Sequence, residues 1–283
     1  MGQDTPLVGK PTTLTFANQK GGSGKSLAAY FFADILAERG ERVLVVDCDG
    51  QSGNLSGDLG ADVSCGASSL AGYLLARLDG SAAALAEYVQ HLESLDVLAG
   101  TEQLNAVDLK LKLNPEGGFF LRDGLDSVRG AYDHVIVDTP GDFNLLSLNA
   151  LMATDRVLIP CHADASGIKG AKTILESCEQ VNGIRRRMGG RLEVVGIFLN
   201  DFNAQANVHR DMASTISAFC EASGVRLLGT RVRHSVKAIE LTTFGKRAGE
   251  LLPGTVRRGL VRDMYDLVEE YLSLEGDLGD GAR

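Results

Sequence analysis

The chain has 283 residues, 44% of them apolar, and carries a formal net charge of −9. This length accommodates one large α/β domain or two small ones, each with a sizeable core. It contains no run of about 18 or more apolar residues, so we expect no membrane-spanning helix. The acidic balance argues against a protein that coats nucleic acid over its whole surface, but it is compatible with a local basic face.

The cysteines and the first residues indicate a cytoplasmic protein. The five cysteines form no C-x-x-C pair, and no histidine stands at metal-finger spacing from any of them, which predicts free thiols. The opening residues, 1–11, contain two prolines and lack the basic and apolar regions of a secretory signal, so we expect a flexible lead-in. A single domain is expected over 12–274, followed by an acidic, glycine-rich tail at 275–283.

The stretch 19–26, with the sequence QKGGSGKS, is the strongest signal in the chain. It follows an apolar run at 14–17 and precedes a helical pattern at 25–39. A strand, a glycine-rich loop and a helix in this order form a phosphate-binding loop, because glycines let backbone N–H groups surround a phosphate. The helix dipole adds to this attraction. In such a loop Lys25 contacts the β- and γ-phosphates, and Ser26 binds Mg²⁺.

A pair of carboxylates follows the next apolar run. Residues 42–46 have the pattern of a buried parallel strand, and Asp47 and Asp49 come directly after it. Because side chains alternate along a strand, both carboxylates can point the same way. Open α/β sheets bind ligands at the carboxyl ends of their strands, so we expect both residues near the phosphates.

The segment 52–130 carries the least functional information. The spacing of alanine and leucine predicts helices at 64–78 and 81–92, and a strand is predicted at 95–100. We expect loop and helix over 101–130. The sequence leaves open whether this segment carries a partner surface or a dimer surface.

The apolar run before Asp138 is a Walker B pattern, in which a strand ends in an acidic residue. The Asp138 carboxylate is a hard oxygen ligand suited to Mg²⁺. Further along, we predict a helix at 167–181 and a strand at 192–200 that ends in Asn200. An apolar face at helical spacing predicts a last helix at 255–273.

Charge is distributed unevenly near the end of the chain. Residues 226–262 hold nine basic and two acidic side chains, whereas residues 263–283 hold seven acidic side chains and one arginine. The basic segment is interrupted by apolar residues, so we expect it to be folded. It provides either a local anion-binding face or a solvated surface balanced by the acidic tail.

These motifs together resemble the ParA/MinD family of deviant Walker A ATPases, and most closely its short ParA-type members. The resemblance rests on KGGSGKS at 20–26, DCDGQ at 47–51, VDTPG at 137–141 and the segment ending in FGK at 246. It implies a P-loop NTPase fold, with a mostly parallel twisted sheet flanked by helices on both faces.

The resemblance also implies roles for single residues. Lys20 reaches the nucleotide of the partner subunit, Asp49 orients the attacking water, and Asn200 contacts adenine. The implied catalytic residues are Lys20, Lys25 and Asp49, and the implied metal-site residues are Ser26, Asp47 and Asp138. The implied ATP-binding residues are Lys20, Gly21, Gly22, Ser23, Gly24, Lys25, Ser26, Leu27 and Asn200.

The chain departs from the family pattern at three places. Gly50 stands where proline is usual, and Gly141-Asp142 replaces a second proline of the Walker B segment. The loop after Asn200 lacks arginine until Arg210. The first two changes fall near the expected nucleotide, where Asp142 adds a carboxylate, and the third weakens the case for DNA contacts by that loop.

The resemblance implies slow, Mg²⁺-dependent hydrolysis of ATP, coupled to formation of a homodimer. It further implies binding of non-specific DNA through a basic face, stimulation by a ParB-like partner, and a nucleoid-associated role in segregating plasmid or chromosomal DNA. The candidate DNA-binding residues are Arg231, Arg233 and Lys237.

Two other functions stay open. A MinD-like relative positions a membrane or protein cargo, but the acidic end of the last helix favours packing on the domain over membrane binding. An iron–sulfur member of the superfamily needs paired cysteines, and Cys161 has no companion at a convincing position.

Overall fold

The computed structural model describes residues 12–51, 55–235 and 259–280, and the side chains of the last helix as far as residue 275. The predicted lead-in, Lys237 and the FGK segment therefore lie outside the described residues. The strands are β1 Thr12–Phe16, β2 Val43–Asp47, β3 Gln90–His91, β4 Asp96–Leu98, β5 His134–Asp138, β6 Arg156–His162, β7 Glu193–Phe202 and β8 Leu227–Arg233. The α-helices are α1 Lys25–Glu38, α2 Leu55–Asp58, α3 Leu70–Leu78, α4 Leu104–Leu111, α5 Phe120–Val128, α6 Leu145–Ala153, α7 Ala165–Arg185, α8 Asn207–Ser223 and α9 Gly259–Asp280.

The described strands form one sheet in the order β3-β4-β2-β5-β1-β6-β7-β8. Neighbouring strands are parallel except for β3 and β4, which are antiparallel. This arrangement confirms the predicted mostly parallel sheet. Because parallel strands end at the same edge, the segments that follow β1, β2 and β5 meet there.

Helices cover both faces of this sheet, as predicted. Along β2, Val43 and Val45 pack into the cluster that contains α1 and α9, whereas Leu44 and Val46 pack against α3, α4 and α5. A strand buried on both faces has apolar side chains in both alternating sets, which explains the continuous apolar run. The first helix is deeply buried, and α9 packs beside it in the same cluster, in contact with β8.

The packing of α9 confirms the prediction that the last helix packs on the domain. Met264, Leu267 and Tyr271 of α9 are buried, and the ring of Tyr271 lies 5.7 Å from that of Phe32 in α1. The backbone of α9 continues to Asp280, past the domain boundary expected at 274, because apolar spacing marks where packing ends rather than where backbone hydrogen bonding ends. None of the described helices is long and apolar enough to span a bilayer.

The prediction of a helix at 81–92 is wrong. A single 3₁₀ turn spans Leu85–Tyr88, and Gln90 and His91 then pair with β4 at the edge of the sheet. The helical preference of alanine is a weak local effect, and here tertiary pairing overrides it. In the neighbouring region, α3 begins at Leu70 rather than near 64, because the Ser69 side chain caps it by accepting a hydrogen bond from the Gly72 amide at 3.1 Å.

A charged cluster holds the amino ends of β1 and β6 together. Oδ2 of Asp155 accepts a hydrogen bond from the Thr13 amide at 3.1 Å and lies 3.7 Å from Nη1 of Arg129. Oδ1 lies 3.6 Å from Nη2 of Arg185, whose side chain is only 6% exposed. Burial lowers the pKa of Arg185, and the Asp155 carboxylate opposes that shift. Asp155 is therefore the counter-charge of a buried guanidinium.

Candidate functional site

The phosphate-binding loop runs from the end of β1 to the start of α1, as predicted. Gly24 has a φ of +94°, and a Cβ at this position would lie 2.0 Å from Nδ2 of Asn200. The residue must be glycine for both reasons. The same Nδ2 donates a hydrogen bond to the carbonyl of Ser23 at 2.9 Å. Asn200 thus fixes the loop from β7, and its contact with adenine stays a prediction.

Lys25 is buried beneath this loop and faces three acidic side chains. Its Nζ lies 3.4 Å from the carbonyl oxygen of Lys20, and the residue is 6% exposed. Burial lowers the pKa of Lys25, and the charges of Asp138, Asp49 and Asp142 oppose that shift. The structure therefore brings together the lysine and the carboxylates that the sequence placed at one site.

Asp138 provides an oxygen suited to a divalent cation. Asp138 and Asp47 are partners in the register of β5 and β2, and both are fully buried. Burial raises the pKa of Asp138, the neighbouring Asp47 raises it further, and the Ser26 hydroxyl opposes the shift. Its Oδ2 accepts no hydrogen bond of standard geometry from the described residues. A buried carboxylate oxygen beside a hydroxyl and a second carboxylate fits Mg²⁺.

Both carboxylate oxygens of Asp47 accept hydrogen bonds from the segment that follows β2. Its Oδ2 accepts hydrogen bonds from the amide and the hydroxyl of Ser56, at 2.9 and 2.6 Å, and its Oδ1 accepts one from the Asp49 amide at 3.0 Å. In this conformation Asp47 anchors the segment that follows β2. These bonds occupy both oxygens of Asp47 while leaving acceptor capacity on Oδ1, and its support of the metal shell stays a prediction.

The loops after β2 and β5 also approach the phosphate-binding loop. Asp49 is half-buried, and its Oδ1 accepts a hydrogen bond from the Gln51 amide at 3.1 Å. A Cβ on Gly141 would lie 3.3 Å from Cα of Gly21, so the Gly141 backbone lies against the loop. The charge of the neighbouring, exposed Asp142 opposes the lowering of the Lys25 pKa.

Lys20 forms an ion pair within its own chain. Its Nζ lies 2.8 Å from Oδ2 of Asp164, the residue that caps the start of α7. Burial alone would raise the pKa of Asp164, but hydrogen bonds from Lys20 and Ser166 outweigh it and hold that pKa well below its usual range. Sequence reasoning missed this partner. The cap pattern of Asp164 before a helix was visible, but nothing local linked it to a lysine 144 positions away.

The candidate DNA-binding arginines line a cavity of about 510 Å³ at the carboxyl ends of β7 and β8. Arg231 lies over the ring of Phe202, 5.0 Å from its centroid. Arg233 forms two hydrogen bonds with Asp263, from Nε at 2.6 Å and from Nη2 at 2.7 Å. The charge of Arg233 is thus already balanced, whereas Arg231 is exposed and forms no ion pair with a described residue.

Comparison with known proteins agrees with this geometry. A family model described as an AAA domain matches residues 11–189. The chain is similar to the chromosome partitioning protein ParA of Caulobacter vibrioides, with 30% identity over 235 residues that make up 82% of this chain and 84% of that protein. The chain belongs to the ParA family.

A second relative and a solved structure are also similar to this chain. The cell division protein PomZ of Myxococcus xanthus is 30% identical over 233 residues, 82% of this chain and 69% of its own length. Among solved structures, apo McdA from Cyanothece matches with a TM-score of 0.76 at 22% identity, covering 92% of this chain and 99% of that one. This structural match supports the ParA fold.

Proposed function

We propose that this protein is a Mg²⁺-dependent ATPase that acts as a partition switch. The observation that carries the proposal is the buried Lys25, whose Nζ lies 3.4 Å from the Lys20 carbonyl of the glycine loop, at the edge of the sheet where Asp47 and Asp138 pair. Lys25 and the loop amides attract phosphate, whereas the carboxylates attract a divalent cation, and Mg²⁺ bound to a nucleoside triphosphate supplies both partners.

Each residue has a distinct part in the proposed reaction. The loop amides and Lys25 bind the phosphates, while Ser26 and Asp138 hold Mg²⁺, which neutralises charge that develops on the transferring phosphoryl group. Asp49 orients the attacking water from the loop after β2. Asn200, whose amide lies against the loop at Ser23, contacts the adenine base.

Lys20 acts in trans in the proposed switch. ATP closes a homodimer in which Lys20 leaves Asp164 and contacts the partner's nucleotide, adding positive charge to the phosphates. In the partition function, the dimer binds non-specific DNA, and a ParB-like protein stimulates hydrolysis and release.

We expect Lys20→Ala to bind ATP but to lose ATP-induced dimerisation. Asp164→Asn should instead favour the dimer about twofold to fivefold, since it releases Lys20 from a partly exposed ion pair worth no more than about 1 kcal/mol. Asparagine caps a helix as well as aspartate does, so α7 stays intact. Sedimentation velocity with and without ATP measures both effects.

Ser166→Ala is the matched control, because it removes another contact to Asp164 and leaves the charge in place. A Lys20→Ala protein that still dimerises with ATP would disprove the trans role. An Asp164→Asn protein that dimerises more weakly would show that Asp164 is needed in the dimer itself.

The partition function predicts DNA binding that depends on ATP. We expect binding to a non-specific duplex with ATP, little with ADP or without nucleotide, and a steep loss of affinity between about 50 and 200 mM salt.

Arg231→Ala should weaken DNA binding several-fold. Arg233→Ala should act mainly on stability, since it leaves the buried Asp263 unpaired. Fluorescence anisotropy and thermal unfolding separate the two effects.

The second candidate function is positioning of a protein or membrane cargo, and it is motivated by the similarity to a cell division protein, PomZ. Under this alternative, ATP binding and dimerisation persist while DNA binding fails at every salt concentration. Adding anionic liposomes to the same assay tests the membrane version, which the packing of α9 against α1 disfavours.

A further inference from the structure

A network of buried hydrogen bonds links three segments beside the proposed site. The Ser56 hydroxyl donates to Oδ2 of Asp47 at 2.6 Å and accepts from the Gly100 amide at 2.9 Å. Ser56 and Asp47 are both fully buried. The Ser56 hydroxyl has one proton and donates it in the hydrogen bond to Asp47. Together the donor bond and the bond accepted from Gly100 fix the orientation of the hydroxyl. The network joins the end of β2, the start of α2 and the segment after β4.

The Asp49 backbone belongs to the same network. Its amide donates to Oδ1 of Asp47 at 3.0 Å, so one carboxylate holds both Ser56 and the residue proposed to orient water. Two donors from Ser56 fix one oxygen of Asp47, and the Asp49 amide fixes the other. A shift of Ser56 would therefore turn the carboxylate on which the position of Asp49 depends.

Gly100 closes the network from the side of β4. A Cβ on Gly100 would lie 2.7 Å from the Asp49 carbonyl oxygen and 2.8 Å from Cγ of Asp47. The backbone after β4 thus lies directly against the loop that carries Asp49, at a distance that only glycine permits. This contact and the Ser56 hydrogen bond act at the same point of the loop.

We propose that Ser56 is a positioning residue for hydrolysis, because with Gly100 it holds Asp47 and, through Asp47, fixes Asp49 in place. The inference rests on the proposed ATPase function and deepens it. Ser56 touches neither phosphates nor metal in this arrangement. It acts on the rate of hydrolysis and leaves nucleotide binding, which depends on the loop at 19–26, unchanged.

Ser56→Ala tests the inference. We expect kcat to fall about tenfold or more, since misplacing a reacting group by a fraction of an ångström has effects of this size. The affinity for ATP should stay within about twofold, because no phosphate contact is lost. Gly100→Ala should show the same separation of kcat from affinity by displacing the loop sterically. Single-turnover hydrolysis and equilibrium binding of a fluorescent ATP analogue measure the two quantities.

Ser177→Ala is the matched control, because Ser177 is also buried but donates within α7, to the Thr173 carbonyl at 2.9 Å. It should leave kcat unchanged. In an Asp49→Asn background, Ser56→Ala should cause no further loss, since residues that act as a unit are not additive. A full additional loss there would show a general structural role and overturn the proposal.

Amide hydrogen exchange gives a readout that does not depend on ATPase activity. Without nucleotide, Ser56→Ala should speed exchange at the Gly100 and Asp49 amides. The Gly100 amide loses its acceptor on Ser56, and the acceptor of the Asp49 amide, on Asp47, is no longer held in place. Unchanged protection at both amides would disprove the linkage even if the wild-type protein hydrolyses ATP. Faster exchange in a protein that neither binds nor hydrolyses ATP would retain the linkage and refute the ATPase function.

Discussion

Lys25→Met is expected to lower the affinity for Mg²⁺-ATP by at least about a hundredfold. The ammonium group supplies charged hydrogen bonds to phosphate, worth up to about 3 kcal/mol each, and methionine fills the same space without them. Burial already lowers the pKa of Lys25 in the folded protein, so the fold gains little from its charge. The thermal midpoint without nucleotide should change by no more than about 4 °C.

Lys169→Met is the control for this prediction, since Lys169 is an exposed lysine on α7. Isothermal titration with ATP and Mg²⁺ should give wild-type affinity for that variant. Binding by Lys25→Met within tenfold of wild type would contradict the proposed role of the lysine. A large drop in its thermal midpoint would mean that the charge balances Asp138 and its neighbours rather than a nucleotide.

Asp155→Asn is expected to have a large effect on stability, although Asp155 lies outside the candidate site. Asparagine keeps a hydrogen-bond acceptor for the Thr13 amide but leaves the buried Arg185 without its counter-charge. Breaking such a pair costs about 3 to 5 kcal/mol when it is fully buried. Because Asp155 is 23% exposed, we expect about 2 to 4 kcal/mol, or roughly 5 to 15 °C in Tm.

Asp126→Asn provides the comparison, because Asp126 pairs with Arg129 at 2.5 Å but is 46% exposed. An exposed pair contributes no more than about 1 kcal/mol, so this variant should unfold near the wild-type temperature. Adding Arg185→Met to Asp155→Asn should restore most of the lost stability, since it removes the unpaired charge. Equal destabilisation by Asp155→Asn and Asp126→Asn would refute this account.

The parts of the fold that could be predicted are those with a strong local sequence pattern. The apolar runs before Asp47 and Asp138 became adjacent parallel strands, and parallel pairing then placed both carboxylates at one edge. The prediction failed at 81–92, where alanine-rich spacing matched a helix but pairing at the edge of the sheet decided the outcome. The helical preference of residues 81–92 is a small energy, and nothing within this segment shows that it pairs with β4.

The motifs predict which residues belong to the candidate site but not which contacts those residues make with one another. The motif identified Lys20 and Lys25, yet the pairing of Lys20 with Asp164 depends on where α7 begins in space. The resemblance implies that Asn200 contacts the base, and the fold uses its amide to hold the Ser23 carbonyl. Contacts between residues more than a hundred positions apart are set by packing, which single-sequence patterns do not encode.

The covering of α1 by α9 has a consequence for how the protein is made. Phe32 near the start of the chain packs against Tyr271 near its end, and about 220 residues separate the two helices. At about 5 to 20 residues per second, a ribosome needs roughly 10 to 45 seconds to cover that length. During this interval the apolar surface of the helix that begins at Lys25 has no covering helix. We therefore expect this surface to be a site where chaperones bind the nascent chain until the last helix is made.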